Sequence, residues 1–346
     1  MINLGFLVGG PSIEHDFTFT TLNYIVSSIY QQNNHNLSPK VIYYISQQND
    51  LYVYKFEKQK ENFAPKILKE IGEKIDYTRL VQCIKEDKVF LYSLLQGKHG
   101  EDGHFQALGE LYKIPSNFDN ILAASICANK WCQSILAQSI CNKELSQIQT
   151  QFVDCNLSGN NFITISNKWQ DYECILKPNS LGGSYFVELH SHLNLSILEL
   201  YRKKISMHDS AFLIQHRVIG DEIACCCIVK NKNLYVLPLL KVNQRGVVMD
   251  YEEKYKYRRY EWIFTNLDMK IKKNIYSICN KLHSFYQFNS CVRFDFIINN
   301  KKIYLLEINN VPGIYEDSLF NRALNAAGLN IIDLINLNIK DCQLYM

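Results

Sequence analysis

No apolar run in this 346-residue chain approaches the roughly 18 to 20 residues of a membrane-spanning helix, so no such span is expected. Met1 leads directly into a strand-like segment instead of a basic stretch and an apolar core, and no secretory signal is expected either. Charge of one sign is scarce. The formal net charge of +3 is too small to argue for a polyanionic partner. No internal repeat or low-complexity segment stands out. Cysteine is plentiful, with 12 residues, yet no pair of Cys-x-x-Cys motifs suggests structural zinc. In a chain of this size without a secretory signal, reduced thiols and a cytoplasmic setting are the expectation. Cys225-Cys226-Cys227 lies in an apparent strand and reads as buried packing thiols, with neighbours facing opposite ways.

The most informative stretch runs from Cys291 to Gly313. Two apolar runs flank the polar corner Asn299-Asn300-Lys301-Lys302, the pattern of a β-hairpin with charges embedded in it. Alternation places Arg293, Asp295 and Ile297 on one face, and Ile303, Leu305, Glu307 and Asn309 on one face of the partner strand. If Asp295 faces Glu307, two carboxylates and the Asn309 amide converge. Like charges this close raise one pKa strongly unless a cation lies between them. Oxygen-only ligands of this kind favour Mg²⁺ or Mn²⁺. The register demands a loop with an odd number of residues or a bulge. A hairpin whose acids simply pair with surface lysines remains the alternative.

Elsewhere the pattern is that of an α/β protein. Ile2 to Val8 reads as a buried strand ended by Gly9-Gly10, and Leu22, Ile25, Val26 and Ile29 follow at helical spacing. Further strands are expected at Lys40 to Ile45, Leu51 to Phe56, Val89 to Leu95, Glu173 to Pro178, Ala211 to Gln215 and Leu234 to Val242. Residues 57 to 80 are poorly patterned and are expected to include surface loop. Asn120 to Gln138, Ile271 to Phe285 and Ser318 to Leu334 read as helical, the last interrupted near Gly328. Lys177 ends its strand beside Asn179-Ser-Leu-Gly-Gly-Ser184. A lysine next to such a loop can neutralise phosphate while backbone amides contact it. Tyr251 to Glu261 carries four cations and three anions, a net of +1, which favours a mobile lid over a nucleic-acid surface.

Arg293-x-Asp295, Leu305-Leu-Glu-Ile-Asn309, Pro312-Gly313 and Asp317-Ser-Leu319 resemble the C-terminal signature of the D-alanine-D-alanine ligase family, within the ATP-grasp superfamily. Gly9-Gly-Pro-Ser-Ile-Glu14, Gly97-Lys-His-Gly-Glu-Asp-Gly103 and Asp250-Tyr-Glu-Glu-Lys-Tyr255 resemble that family's other motifs, so the likeness spans nearly the whole chain. It implies an α/β ATP-grasp fold: an N-terminal parallel-sheet domain over residues 1–117, then two α+β lobes, 118–214 and 215–346, that sandwich ATP. It also implies an ATP-dependent carboxylate-amine ligase acting on D-alanine, two Mg²⁺ ions with Mn²⁺ as a substitute, and a homodimer. By the same resemblance Asp295, Glu307 and Asn309 hold metal, and Arg293 steadies the tetrahedral intermediate. Glu14, with Ser184 and Tyr255, meets the first amino acid, and Ser318 meets the carboxylate of the second. Lys130, Lys177 and Lys254 reach phosphate. Gln215 and His216 frame adenine, and Glu222 takes the ribose.

Several positions depart from the family. Its Gly-Ser-Ser-x-Gly loop reads Gly182-Gly-Ser-Tyr-Phe186 here, a His before the closing Ser is Asp317, another His is Gln96, and an acid at the adenine is Gln215. An amide carbonyl still accepts from adenine. The lost hydroxyl and glycine leave two alternatives: a ligase for another amino-acid pair, or a nucleotide-binding regulatory protein without turnover.

Overall fold

The computed structural model describes residues 1–32, 36–56, 62–157, 159–243 and 261–343. Three sheets follow one another along the chain. The first contains β1 (Ile2–Gly9), followed by α1 (Phe17–Gln31), β2 (Leu37–Ile45), β3 (Leu51–Lys55), α2 (Pro65–Ile71), β4 (Glu73–Ile75), α3 (Tyr77–Asp87), β5 (Phe90–Ser93) and α4 (His104–Tyr112). Its order is β4-β3-β2-β1-β5, with β1 parallel to both β2 and β5. β3 and β4 extend it antiparallel. The near-continuous apolar sequence of β1 suits a central strand covered on both faces. α1 covers one of them with Leu22, Ile25, Val26 and Ile29.

The poorly patterned region 57–80 contains α2, β4 and the start of α3 joined by short loops, with 57–61 outside the described residues. The Asp76 carboxylate accepts from the Arg79 backbone N–H at 2.7 Å and so caps α3, whose Leu80 and Ile84 are buried one turn apart.

α5 (Ile121–Cys127) and α6 (Lys130–Ile140) come next, then a second sheet: β6 (Thr150–Asp154), α7 (Gly159–Trp169), β7 (Cys174–Pro178), β8 (Glu188–His190), α8 (Leu195–Ile205) and β9 (Ala211–His216). Its strands run antiparallel in the order β6-β9-β7-β8, with Phe162, Trp169, Leu198 and Tyr201 packed on the buried face.

The third sheet holds β10 (Asp221–Lys230), β11 (Asn233–Val236), β12 (Leu240–Val242) and β13 (Trp262–Phe264), then α9 (Met269–Tyr286), β14 (Cys291–Asn299), β15 (Lys302–Asn309), α10 (Leu319–Ala326) and α11 (Ile331–Gln343). The order is β13-β12-β10-β14-β15, with β11 also on β10. The single strand expected over 234–242 is divided, and Pro238, which lacks a ladder donor, lies in the gap.

α5 and α6, expected with the central lobe, place Ala123, Cys127, Ala137 and Cys141 in the core beneath the third sheet together with α9. Small side chains let them approach closely. Gln133 then pairs with the free edge of β15, donating to the Ile308 carbonyl at 2.9 Å and accepting from its N–H at 2.8 Å. On the sheet's other face, α10 and α11 share one continuous apolar core with α1 and the first sheet.

The hairpin turns on Asn300 (φ 46°) and Lys301 (φ 65°), a two-residue turn with both centres left-handed. Arg293 faces Asn309 and Asp295 faces Glu307, as the alternation predicts. The register then slips, so that Phe296 faces Leu305 and Leu306 is the bulged residue. Beyond the bulge the faces exchange. Ile303 and Leu305 do not share a side with Glu307: Ile303 is buried in the core, and Tyr304 faces Ile297. Among the described residues, no helix is long and apolar enough to cross a membrane. The exchanged faces predict that Ile303→Ala costs about 2 to 4 kcal/mol in a denaturant melt, as for a buried isoleucine. The half-buried Tyr304→Ala should cost distinctly less, and equal costs would contradict the bulge.

Candidate active site

A cavity of about 720 Å³ opens where the first and third sheets meet the loop 179–183. Glu14, Lys130, Arg293, Glu307, Asn309 and Ser318 all line it, although they come from five separate stretches of chain. Asp295 and Lys177 stand just behind this surface, 7% and 9% exposed.

The bulge allows Arg293, Asp295, Glu307 and Asn309 to share one side of the hairpin. Arg293 grips Asp295 with Nε at 2.8 and 3.0 Å from the two carboxylate oxygens and Nη2 at 2.8 Å from Oδ2. Its Nη2 also lies 3.8 Å from Glu307 Oε1. The guanidinium is thus the cation that compensates the facing acids. Burial opposes its charge, but the Asp295 carboxylate more than offsets that and holds the Arg293 pKa above its ordinary value. Asn309 accepts from the Val311 N–H at 3.0 Å, which fixes its amide with the oxygen directed by the turn.

Two lysines approach the same acids. Lys130 Nζ donates to the Leu181 carbonyl at 2.6 Å and lies 3.8 Å from Glu307 Oε2. The start of α6 also clamps the loop, since Lys130 N donates to Asn179 O at 3.0 Å and Trp131 N to Asn179 Oδ1 at 3.0 Å. Burial and the Lys130 charge lower the Lys177 pKa to about 8, against the opposing pull of Glu307. Electropositive groups are therefore concentrated beside a flexible-composition loop, an arrangement suited to a polyphosphate.

At the other end of the cavity Glu14 is 8% exposed. The loop presents Gly182 and Gly183 to it: a Cβ on Gly182 would stand 2.6 Å from Glu14 Oε2, so a side chain there would force the Glu14 carboxylate to shift. Ser184, expected beside Glu14, does not line the cavity, because left-handed backbone at Gly183 and Ser184 turns the chain away. Phe186 holds φ 59° where the family has glycine, a conformation costing a side-chain residue roughly 1 to 2 kcal/mol. Its ring stacks on His208 at 5.0 Å, and its carbonyl accepts from Tyr201 Oη at 2.7 Å, contacts that offset this strain.

Glu101 was not singled out in the sequence, yet it lines the cavity. Burial and the neighbouring Glu14 charge push its pKa well up, so this acid is held towards its protonated form. Its only signal was an acid inside the Gly97–Gly103 loop.

Ser318 caps α10. Its oxygen accepts from Asn321 N at 3.1 Å and Tyr315 N at 3.2 Å, leaving its hydroxyl proton to donate elsewhere. Gln215 donates to Thr150 Oγ1 at 3.0 Å, and His216 N donates to Gln149 O at 2.9 Å, both at the end of β9. Glu222 faces Ile297 at the start of β10. Lys254 and Tyr255 lie outside the described residues, as does most of the expected lid.

Comparison with known proteins follows this geometry. The family "D-ala D-ala ligase C-terminus" matches residues 149–340. The chain is 25% identical to a D-alanine--D-alanine ligase of Thermosipho melanesiensis, covering 98% of this chain and 94% of the relative. It is 28% identical to one of Azobacteroides pseudotrichonymphae, over 71% of this chain and 75% of that one. Among solved structures it resembles the VanG D-Ala:D-Ser ligase of Enterococcus faecalis, with a TM-score of 0.75, 17% identity and 99% of each chain covered. It also resembles the Bacillus anthracis D-alanine--D-alanine ligase complexed with ATP, with a TM-score of 0.70, 18% identity, and 100% of this chain and 98% of that one covered. The fold is therefore ATP-grasp, the architecture of ATP-dependent carbon-nitrogen ligases. Within that class, the chain belongs to the D-ala D-ala ligase family.

A lysine whose pKa lies near 8 binds a polyphosphate best when protonated. Nucleotide triphosphate affinity should therefore fall as pH rises through about 8. Isothermal titration at pH 7 and pH 9 should show this loss, and Lys177→Arg should flatten it. An equal pH response in that variant would place the titrating group elsewhere.

Proposed function

We propose that the protein joins two D-alanine molecules through an acyl phosphate in the cavity between Glu14 and Ser318. The observation carrying this reading is the hairpin register, which brings Arg293, Asp295, Glu307 and Asn309 to one side beside Lys130. A carboxylate is a poor acyl donor. Transfer of the ATP γ-phosphoryl group to its oxygen creates a good leaving group, and Lys130 and Lys177 offset the phosphate charge during that transfer. Glu14 holds the ammonium group of the first amino acid. Ser318 donates its hydroxyl to the carboxylate of the second, whose amine attacks the acyl carbon. Arg293 stabilises the oxyanion that develops there.

The donor set fits Mg²⁺, or Mn²⁺, because two carboxylates and a carboxamide oxygen are the hard ligands these ions prefer. Asp295, Glu307 and Asn309 would hold the metal, which supplies charge neutralisation on the phosphates when bound. Gln215, His216 and Glu222 receive the nucleoside. From the sequence pattern, Lys254 extends the phosphate contacts and Tyr255 meets the first amino acid.

A second reading, a different amino-acid pair, rests on Gly183 and Asp317. Asp317 lines the cavity beside Ser318, where an acid disfavours a nearby carboxylate. The proposed lobes are 1–117, 118–214 and 215–346, in a cytoplasmic protein that pairs as a homodimer. Sedimentation at micromolar concentration tests the dimer.

Phosphate release with Mg-ATP should be stimulated by D-alanine, with the dipeptide seen by mass spectrometry. Stimulation by another pair alone would overturn the substrate, and nucleotide binding without release under any pair would overturn the chemistry. Removing the guanidinium in Arg293→Ala should lower kcat by about 10² to 10³, as for loss of an oxyanion donor.

A further inference from the structure

Behind the catalytic face of the third sheet lies a second cluster of reactive groups. β10 turns Cys226 towards Arg293, its partner across the ladder, so Cys225 and Cys227 project to the opposite side. There they meet Cys279 from α9. Cys225 Sγ lies 3.9 Å from Cys227 Sγ and 3.6 Å from Cys279 Sγ, and all three sulfurs fall within 4.8 Å of one another. Each residue is fully buried. Among the described residues this is the one group of three His, Cys, Asp or Glu side chains that a single ion can reach together.

The separations have a chemical meaning. A centre bonded to sulfur at about 2.3 Å, the length in zinc thiolates, sets its ligands roughly 3.3 to 3.8 Å apart between pyramidal and tetrahedral angles. Two of the three separations, 3.6 and 3.9 Å, lie within a few tenths of an ångström of that spacing, and the third, between Cys227 and Cys279 and within 4.8 Å, closes to it by a side-chain movement. Donor count and charge then select the centre. Three sulfurs and no fourth ligand leave tetrahedral zinc incomplete. Three thiolates around a monovalent or divalent ion would also bury net negative charge in an apolar core, which is costly. A trivalent centre makes the complex neutral.

We infer that Cys225, Cys227 and Cys279 form a three-thiol site for a trivalent thiophilic metalloid, with arsenic(III) as its probe. The reaction is balanced without a change of oxidation state. Arsenous acid exchanges three As–O bonds for three As–S bonds, the three thiol protons leave with the three hydroxyl groups, and three waters are released. Entry requires α9 to part from β10, so capture is slow, and the product then ties the helix to the strand.

The test uses the full chain, reduced and incubated with arsenite, then freed of unbound reagent. Native mass spectrometry should show one retained arsenic atom with three hydrogens lost. X-ray absorption should show three sulfur neighbours and no oxygen. Cys225→Ala and Cys279→Ala should each abolish retention, while Cys226→Ala, on the opposite face, keeps it. Where an alanine variant fails to fold, the sulfur count in the wild-type chain decides. No retained arsenic, a mixed sulfur-oxygen shell, retention unaltered in Cys225→Ala and Cys279→Ala, or retention of Zn²⁺ or Cu⁺ in place of arsenic would overturn the inference. These readouts are independent of the ligase assignment, because none requires turnover.

Discussion

Two carboxylates facing each other across adjacent strands repel unless a positive group is held between them, and Asp295 and Glu307 are in that position. In this protein the group is Arg293, buried against Asp295 and within 3.8 Å of Glu307. Removing one partner from such a pair leaves an uncompensated buried charge, which typically costs about 3 to 5 kcal/mol. In the proposed reaction these acids would hold a divalent ion, which would share with Arg293 the compensation of their charge.

The surrounding fold keeps this cluster in place from three directions. Gln133 closes the edge of β15 at Ile308, between Glu307 and Asn309, and so holds both of these residues on a paired strand. The N-terminal end of α6 fixes the loop at Asn179 and brings Lys130 to Glu307. The continuous core joining α1, α10 and α11 brings Glu14 and Ser318 into the lining of one cavity. Distant segments of sequence are thereby coupled through packing.

The hairpin was legible because strand alternation and the Asn-Lys turn both speak through local sequence, and parity called for either an odd-length loop or a bulge, of which the strand pair has the bulge. Which residue bulged did not follow, since Leu306 differs little from Leu305 in isolation. The short elements within 65–87 were missed despite the Asp76 cap and the Leu80–Ile84 spacing, because their charged residues dilute the pattern. The packing of α5 and α6 beneath the third sheet was not legible, because Ala123 and Ala137 do not name their partners. Cys279 is likewise joined to Cys225 only by the crossing of a helix over a strand. Family resemblance set Ser184 beside Glu14, where the backbone presents glycines instead, since a single motif match does not convey left-handed torsions.

The most direct measurement of the central claim is Mn²⁺ binding followed by electron paramagnetic resonance in the presence of a non-hydrolysable ATP analogue. The wild-type chain should sequester the ion together with nucleotide, and Glu307→Gln should weaken that uptake at least tenfold while retaining the folded spectrum by circular dichroism. Unchanged uptake in Glu307→Gln would contradict the assignment of the hairpin acids as the metal centre.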